Sequence, residues 1–357
     1  MSVFIRKSTL LLAFFLLSSV IFYICVGRHA LAGDIDFQFY ADSLSYERIY
    51  RDLNLNSLSD LVTFNANFLG PILILDLFNG SREWVLVFNL FILCLVVWIV
   101  RARLELNTST FLLLFFLSPF TFSSLQSVNK EILSILCVSL VVAWSARGHF
   151  AYLLFALLCS VLVRWQLSLF VVAVCLSLSG LNPLRRNRAI YIFLVLVFVS
   201  CVYPMVSGYF ERVNEIADDG SLSGGGSGLY SLFNSLQQSG GYFLVFIPKA
   251  LQAMYGMVFK VGDVFNPDAG MFYNRVIVML HCVVAFLLFL YTVAKRRFRM
   301  SDDFVFIAMI YCVIFVLSPI YAPRYFYPVY FLLCLVNARA VAFDSTIKPG
   351  LGEVVRP

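Results

Sequence analysis

The chain has 357 residues, of which 61% are apolar and 13% charged, with a mean hydropathy of +0.89 and a formal net charge of +6. Soluble globular domains contain only ~45–50% apolar residues, so this composition excludes a water-soluble protein. It predicts an all-α, polytopic integral membrane protein.

Long apolar segments mark the expected membrane spans. The first, residues 10–26, follows Arg6 and Lys7, which is typical of a helix whose N-terminus lies in the cytoplasm. Further segments fall at residues 84–100, 109–125, 131–146, 149–163, 167–181, 189–207, 275–294, 304–319 and 325–342. Together they predict about ten spans, although several hold only ~15 apolar residues against the ~20 of a full span. We expect these shorter, adjacent segments to cover only part of the bilayer.

The distribution of basic residues sets the orientation, because Lys and Arg accumulate in short cytoplasmic loops. The inner loops of this topology contain Arg101, Arg103, Arg147, Arg185, Arg186, Arg188, Lys295, Arg296, Arg297 and Arg299. Both termini are therefore expected in the cytoplasm. Residues 1–343 form one membrane module with outer loops at 27–83 and 208–274, and residues 344–357 form a cytoplasmic tail.

The N-terminal segment and the cysteines allow other interpretations to be weighed. Ala30-Leu31-Ala32 has the small-x-small form of a signal-peptide cleavage site, but the apolar run is long and Arg28 interrupts it. The nine cysteines lie in or at the ends of the spans, without Cys-x-x-Cys spacing. This pattern predicts neither a disulfide framework nor a thiolate metal site.

The first outer loop is predicted to carry a juxtamembrane helix pair. Residues 43–53 place apolar residues at helical spacing among charges, which is typical of a helix lying along the membrane surface. Residues 68–78 are apolar but interrupted by Gly70 and Pro71, and are too short to cross. We interpret them as an interfacial or re-entrant helix. The second outer loop contains a Gly/Ser-rich run at 221–228 that fits either a lid or a linker.

Asp42 opens the surface helix and is the candidate catalytic residue. A carboxylate fixed there by a rigid helix can act as general base on a sugar hydroxyl, and Asp is also a good N-terminal cap. The two roles are compatible. Upstream, Asp34 and Asp36 have a spacing that can place two carboxylates on a divalent cation, against the competing interpretation of a solvated loop. A divalent cation is therefore left open, and no metal ligand is assigned.

Isolated cations recur at the same predicted face of the membrane. Lys130 and Glu131 lie at a sharp turn between two apolar segments, where the alternative is an interface ion pair with a snorkelling lysine. Arg164 stands between apolar helices with no loop residues to spare, a costly position that favours a function. Arg324 lies in a proline-broken aromatic turn. Guanidinium groups suit phosphate because they donate two hydrogen bonds and stay charged.

These residues predict a site for an anionic lipid head group and a neutral acceptor. Asp42 is assigned the catalytic role. The predicted substrate-binding residues are Tyr46, Lys130, Glu131, Arg164, Arg324 and Tyr325. For the tyrosines, the alternative is the aromatic belt that is common at this height in membrane proteins.

At these residues the chain resembles the GT-C superfamily of membrane glycosyltransferases and the Wzy-type polymerases of bacterial surface polysaccharides. In that superfamily the first outer loop carries a catalytic Asp at the start of a juxtamembrane helix, followed by a second such helix. Tyr40-Ala41-Asp42-Ser43-Leu44-Ser45-Tyr46 and residues 68–78 are similar to that arrangement. The Asn129-Lys130-Glu131 turn, Arg164 in its apolar hairpin and the Arg324-Tyr325 turn resemble elements of polymerase-like polysaccharide membrane proteins.

The chain also departs from these families in two respects. GT-C enzymes often carry a soluble C-terminal domain, and nothing after residue 343 is predicted to fold alone. O-antigen ligases use a large periplasmic loop with Arg and His, whereas the 208–274 loop has Arg212 but no His. His281 falls inside a span, where we expect a packing role.

The resemblance implies a glycosyltransferase of the bacterial inner membrane. It would transfer a sugar or oligosaccharide from a polyprenyl-phosphate or polyprenyl-pyrophosphate donor to a glycan acceptor at the periplasmic face. Its partners would be the polyprenyl-linked saccharide, the acceptor and membrane lipid, with no nucleic acid. The alternatives are a flippase for such a lipid, which needs alternating access through repeats or discontinuous helices, and a non-catalytic subunit of a polysaccharide assembly complex.

Overall fold

The computed structural model describes residues 6–32, 41–52, 68–206, 228–259, 272–320 and 322–347, together with Gly208 and Gly262. All regular structure within these ranges is helical, with no strand among them. This agrees with the all-α class expected from the composition. Asp34, Asp36, Tyr40, Arg212 and the 221–227 part of the Gly/Ser-rich run lie outside the described residues.

The helices are numbered in chain order. They are α1 (Lys7–Phe22, continued by a π-helical turn Tyr23–Gly27 and by Arg28–Ala32), α2 (Ala41–Asp52), α3 (Leu69–Leu77), α4 (Arg82–Arg103), α5 (Thr108–Phe116), α6 (Pro119–Gln126), α7 (Glu131–Arg147), α8 (Phe150–Val163), α9 (Trp165–Leu178), α10 (Arg188–Val206), α11 (Gly228–Gln238), α12 (Tyr242–Tyr255, continued by a 3₁₀ turn Gly256–Phe259), α13 (Phe272–Ala294), α14 (Asp303–Phe315), a 3₁₀ turn (Pro323–Phe326) and α15 (Tyr327–Ile347).

Several of these helices are suited to a membrane. Among the described residues, four are long and apolar enough to cross one, namely Lys7–Ala30, Arg82–Arg103, Arg188–Met205 and Phe272–Ala294. The bent pair α5 and α6 would make a fifth. The 14-residue helices α8 and α9 rise only about 21 Å each, less than the ~30 Å hydrocarbon core. Four to five spans of the expected ten are therefore supported by length and composition.

The expected straight span at 109–125 is bent by 75° between α5 and α6. Ser118 causes the break, because its hydroxyl accepts from the Phe120 N–H and caps α6, whose first position is Pro119. The freed carbonyl of Phe115 accepts from the Thr121 hydroxyl at 2.7 Å. Local residues thus determine the bend, and local hydrogen bonds satisfy the backbone groups that it frees.

Helix α7 forms the centre of the bundle. Every residue from 131 to 143 is buried, and the helix packs against α4, α8, α9, α14 and α15. At its C-terminal end the Arg147 Nε donates to the Arg103 carbonyl at 3.3 Å. With 17 residues, α7 separates Glu131 from Arg147 by roughly 25 Å, so these two charges mark opposite ends of the bundle.

Helix α3 packs closely against α8. A Cβ atom added at Gly70 would lie 1.9 Å from the Leu162 carbonyl oxygen, so only glycine allows this approach. The contact fixes the second juxtamembrane helix beside the last turn of α8. It falls two residues before Arg164.

The segment 208–274, expected as a loop, contains two helices in its described part. Helices α11 and α12 lie within it, joined at Gly240, whose φ of +87° suits glycine. Helix α12 packs against α10, α13 and the 3₁₀ turn Pro323–Phe326. At least this part of the loop therefore belongs to the folded bundle.

Candidate functional site

Four charged side chains from four parts of the chain form a connected group at one end of the bundle. Arg324 donates from Nη2 to Asp42 Oδ2 at 2.5 Å, and its Nε lies 4.0 Å from Glu131 Oε1. Arg164 donates from Nη2 to the same Glu131 oxygen at 3.3 Å. We call these four residues, with the adjacent Lys130, the charge cluster.

The turn before α7 is what places Glu131 in the interior. Asn129 caps this helix, because its Oδ1 accepts from the backbone N–H groups of Glu131 at 2.9 Å and Ile132 at 3.4 Å. Its Nδ2 donates to the carbonyls of Ser124 and Ser127 at 2.5 and 2.7 Å. The Asn129 side chain therefore closes the turn from both sides and holds the Glu131 carboxylate, which is only 6% exposed, in the bundle.

Arg164 lies at the break between α8 and α9. Its backbone is extended, with φ −168° and ψ 146°, so the residue ends one helix and begins the next. The guanidinium lies 4.0 Å from the centre of the Tyr325 ring, and the side chain is 12% exposed. Its Nε is buried and has no hydrogen-bond partner among the residues that the structure describes. A buried donor left in this state is costly and is available to a ligand.

Arg324 is presented by the 3₁₀ turn Pro323–Phe326. Burial disfavours its positive charge, but the carboxylates of Glu131 and Asp42 outweigh burial and raise the pKa of Arg324 above its ordinary value. The adjacent Tyr325 is fixed through its carbonyl, which accepts from the Tyr311 hydroxyl at 2.8 Å. The Tyr325 ring thereby lies against both arginines, 5.5 Å from the guanidinium of Arg324.

Asp42 lies in the first turn of α2, and its neighbour fixes this helix to the Asn129 turn. The Ser43 hydroxyl is 2.9 Å from the Ser127 hydroxyl and donates to the Val128 carbonyl at 3.0 Å. The side chain of Asp42 is 45% exposed, and within the described residues only its Oδ2 is engaged. Asp42 is thus the most accessible of the four connected charges.

The alternative interpretation of Lys130 is a lysine that snorkels to the membrane surface. The structure does not show this. Lys130 is buried, with its Nζ 5.4 Å from the ring centres of both Tyr46 and Phe68. Burial, reinforced by the positive charge of Arg164, lowers the pKa of Lys130 to about 8. Tyr46 is itself buried and packs edge-on against Phe68 at 5.6 Å. Tyr46 therefore shapes the aromatic wall beneath the lysine rather than reaching into open space.

Five of the seven residues predicted as a site from the sequence form the charge cluster. The other two, Tyr46 and Tyr325, lie against its cations. The three cations and two carboxylates of the charge cluster leave one net positive charge in a largely buried setting. Such a setting suits an anion, since each guanidinium can donate hydrogen bonds in addition to those it makes to carboxylates. The partly exposed carboxylate of Asp42 lies beside these guanidinium groups.

A metal site is not formed by the residues in the described ranges. No group of three His, Cys, Asp or Glu side chains lies close enough there to hold an ion. The one pair with suitable spacing, Asp34 and Asp36, lies outside the described residues, so the expectation of a divalent cation is not tested. The nine cysteines are all free thiols.

Sequence reasoning missed an ionic group further along α2. Glu47 is buried and accepts from Arg82 Nε at 3.0 Å and Nη2 at 2.6 Å, and also from Arg51 at 3.3 Å. These residues, with Tyr50 and Ser81 among others, line an open cavity of about 420 Å³. The pairing joins positions 35 residues apart, which helical spacing within α2 cannot indicate.

Sequence reasoning also missed Lys249 in α12, which is fully buried. Here a signal was present, since a single cation within the apolar run Tyr242–Tyr255 is as costly as Arg164. By contrast, His281 has the packing role expected of it. It bonds to the Ser118 hydroxyl at 2.8 Å and stacks on Phe120 at 4.0 Å.

Comparison with known proteins adds no identification. No family model matches the chain, no curated protein matches it significantly, and no solved structure does so. Function is therefore inferred from the chemistry of the charge cluster and its place in the bundle.

Proposed function

We propose that the protein is a membrane glycosyltransferase of bacterial surface polysaccharide assembly. It transfers a sugar or oligosaccharide repeat from a polyprenyl-phosphate or polyprenyl-pyrophosphate donor to a glycan acceptor, in the manner of a Wzy-type polymerase. The observation that carries this proposal is the Asp42–Arg324–Glu131–Arg164 connection at one end of an apolar bundle, in which the buried Nε of Arg164 has no partner among the described residues. A lipid phosphate supplies the anion that this arrangement can take.

The proposed topology follows the charge pattern. The chain crosses the inner membrane about ten times, with the short pairs such as α8 and α9 covering only part of the bilayer. Both termini are cytoplasmic, and the charge cluster faces the periplasm. At that height the polyprenyl tail lies in the membrane while its phosphate reaches Arg164 and Arg324.

In the proposed reaction, Asp42 accepts the proton of the acceptor hydroxyl. The hydroxyl oxygen forms a bond to the anomeric carbon of the donor sugar, and the bond from that carbon to the phosphate oxygen breaks. The lipid phosphate leaves with the electron pair, and its growing negative charge is stabilised by Arg164, Arg324 and Lys130. No oxidant, reductant or further reactant is required.

Donor binding also prepares the base. Arg324 is bound to Asp42, and a phosphate would compete with that carboxylate for the same guanidinium. When the phosphate takes Arg324, Asp42 is released as a free carboxylate next to the bound sugar. The acceptor is then activated only when the donor is in place.

The proposal is tested in a bacterial strain that makes the matching polysaccharide and carries Asp42→Asn. Asn has nearly the shape of Asp and can still accept from Arg324 through its amide oxygen, so protein level should stay near that of the parent. Long chains should disappear, and lipid-linked precursors should accumulate on the outer leaflet. Unchanged chains would remove Asp42 from the mechanism.

A transporter for the same glycolipid is the second candidate, and one observation favours it. Discontinuous helices are typical of transporters, and α5 and α6 are bent by 75° at a buried polar group that includes Ser118, Thr121 and His281. In the strain experiment, precursors trapped on the inner leaflet would support this candidate against the enzyme. The concentration of charge at one end of the bundle, rather than along its depth, favours the enzyme.

A further inference from the structure

A short non-helical segment follows α14, a few residues before the turn that carries Arg324. We call residues Leu317–Ile320 the strap. Outside regular structure, its backbone carbonyls need partners, because an unpaired buried carbonyl is costly. The strap matters to the site because Arg324 and Tyr325 follow it within a few residues.

One face of α11 supplies those partners. Tyr230 donates from its hydroxyl to the Ser318 carbonyl at 3.2 Å, Asn234 from Nδ2 to Pro319 at 3.1 Å, and Gln237 from Nε2 to Leu317 at 2.9 Å. Positions 230, 234 and 237 share one helical face, since they are four and three residues apart. A row of polar side chains on one helix thus binds successive carbonyls of the strap.

Lys249 of α12 lies behind this row. It is fully buried, and its Nζ donates to Gln237 Oε1 at 2.6 Å and to the Ser318 carbonyl at 3.4 Å, 5.3 Å from the centre of the Tyr230 ring. Within the described residues no carboxylate pairs with it. Its amine is therefore held by neutral oxygens, and it fixes the Gln237 amide with its oxygen towards Lys249 and its NH₂ group towards the strap.

We propose that Lys249 is a positioning residue that holds the strap, and through it Arg324 and Tyr325, in line with Asp42 and Glu131. Helix α12 also packs directly on the Pro323–Phe326 turn, so it contacts both the strap and the turn. The Tyr311 hydroxyl tethers the other end through the Tyr325 carbonyl. The segment is thus fixed on both sides of Arg324. What Arg324 then binds rests on the proposed function.

The first measurement concerns position and needs no substrate. Lys249→Met keeps the side-chain volume but removes the donor to Gln237 and Ser318. Hydrogen exchange is measured by mass spectrometry on the full-length protein in lipid nanodiscs. We expect exchange in peptides covering 316–326 to rise about tenfold or more.

A matched control separates this effect from general loosening. Thr292→Val removes another fully buried polar group, whose hydroxyl accepts from Asn337 Nδ2 at 2.7 Å. Thr292 is far along the chain from the strap. Thr292→Val should leave exchange at 316–326 unchanged. Unchanged exchange in Lys249→Met, or an equal rise in Thr292→Val, would overturn the positioning role.

The second measurement asks whether Lys249 acts through Arg324. Binding of a short-chain prenyl phosphate is compared in the wild type, Lys249→Met, Arg324→Gln and the double variant. We expect Lys249→Met to weaken binding about tenfold in the wild type but less than about twofold in the Arg324→Gln background. Equal weakening in both backgrounds would show that Lys249 does not act through Arg324. If the wild type does not bind the probe at all, the proposed function fails, and the exchange measurement still decides the role of Lys249 at the strap.

Discussion

Arg324 and Asp42 lie 282 positions apart in the chain, yet their side chains meet at 2.5 Å through Nη2 and Oδ2. The pair joins α2 to the turn before the last helix. Arg324 also approaches Glu131, and Glu131 binds Arg164, so a ligand that engages one arginine alters the whole charge cluster.

The arginines should not be replaceable by lysine. Arg164→Lys or Arg324→Lys keeps the charge but loses the planar fork that donates to two phosphate oxygens, so prenyl-phosphate affinity should fall about tenfold or more. Arg188→Lys is the matched control. Arg188 is similarly buried, lies 4.8 Å from the Phe306 ring and bonds to Asp303 at 2.5 Å at the opposite end of the bundle. Arg188→Lys should bind prenyl phosphate like the wild type. Full binding by the Arg164 and Arg324 variants would show that these arginines only anchor the chain at the membrane interface.

Binding of the anionic lipid should weaken as pH rises from 7 to 9. The pKa of Lys130 is lowered to about 8, so this cation is largely lost over that interval. If only the charged form binds, affinity drops by up to about tenfold, as measured by titration with a prenyl phosphate. Lys130→Met should bind weakly at both pH values.

The predicted loss of lipid binding at high pH cannot come from unfolding caused by the titration of Lys130. Its pKa is lower in the folded chain than the ordinary value of 10.5, so the charged form destabilises the fold below about pH 8. That destabilisation is relieved as pH rises from about 8 towards 10.5. The contribution of Lys130 to stability therefore increases over the range in which binding decreases. Affinity that is constant with pH in the wild type would exclude Lys130 from the site.

Gly70 should tolerate no side chain. In Gly70→Ala the new Cβ meets the Leu162 backbone oxygen, which cannot move aside like a side chain, so α3 and α8 must separate. We expect a loss of ~1–3 kcal/mol in the free energy of unfolding, together with weaker prenyl-phosphate binding at the nearby Arg164. Gly180→Ala, which has no neighbour within 4 Å, is the control and should change neither quantity. Equal stability of the two variants would contradict the close packing of α3 on α8.

The proposed topology can be tested by cysteine labelling in intact cells. In a background without the native cysteines, a membrane-impermeant maleimide should label a cysteine at Ser223 but not one at Arg186. The basic residues around Arg186 predict that it lies in the cytoplasm. Labelling at both positions would overturn the orientation, and with it the periplasmic placement of the charge cluster.

Much of this arrangement could be predicted from local sequence. Arg164 stands out because an arginine between apolar helices is costly, and the helix-starting position of Asp42 follows from spacing alone. These patterns mark the residues one at a time. They do not show that Arg324 bonds to Asp42 while Arg164 bonds to Glu131, because partners so distant in sequence are set by helix packing.

Other features were missed because their determinants are non-local. The apolar pattern of residues 109–125 predicts one span. The 75° bend between α5 and α6 arises at the Ser118 cap, which the apolar pattern does not show. Lys249 lies in a segment interpreted as a loop, since the Gly/Ser-rich run before it hid the helical spacing of Tyr230, Asn234 and Gln237. The functional meaning of Lys249 appears only when the strap carbonyls are located in space.

The most direct test of the central claim compares binding with transfer in Asp42→Asn. The purified protein in proteoliposomes is given a polyprenyl-linked donor and a glycan acceptor, and donor affinity and product formation are measured on the same sample. A general base is needed in the transition state more than for donor binding, so affinity should fall by no more than about threefold while transfer falls at least about a hundredfold. Transfer at the wild-type rate, or loss of donor binding in parallel with transfer, would contradict the assignment of Asp42 as the base of this site.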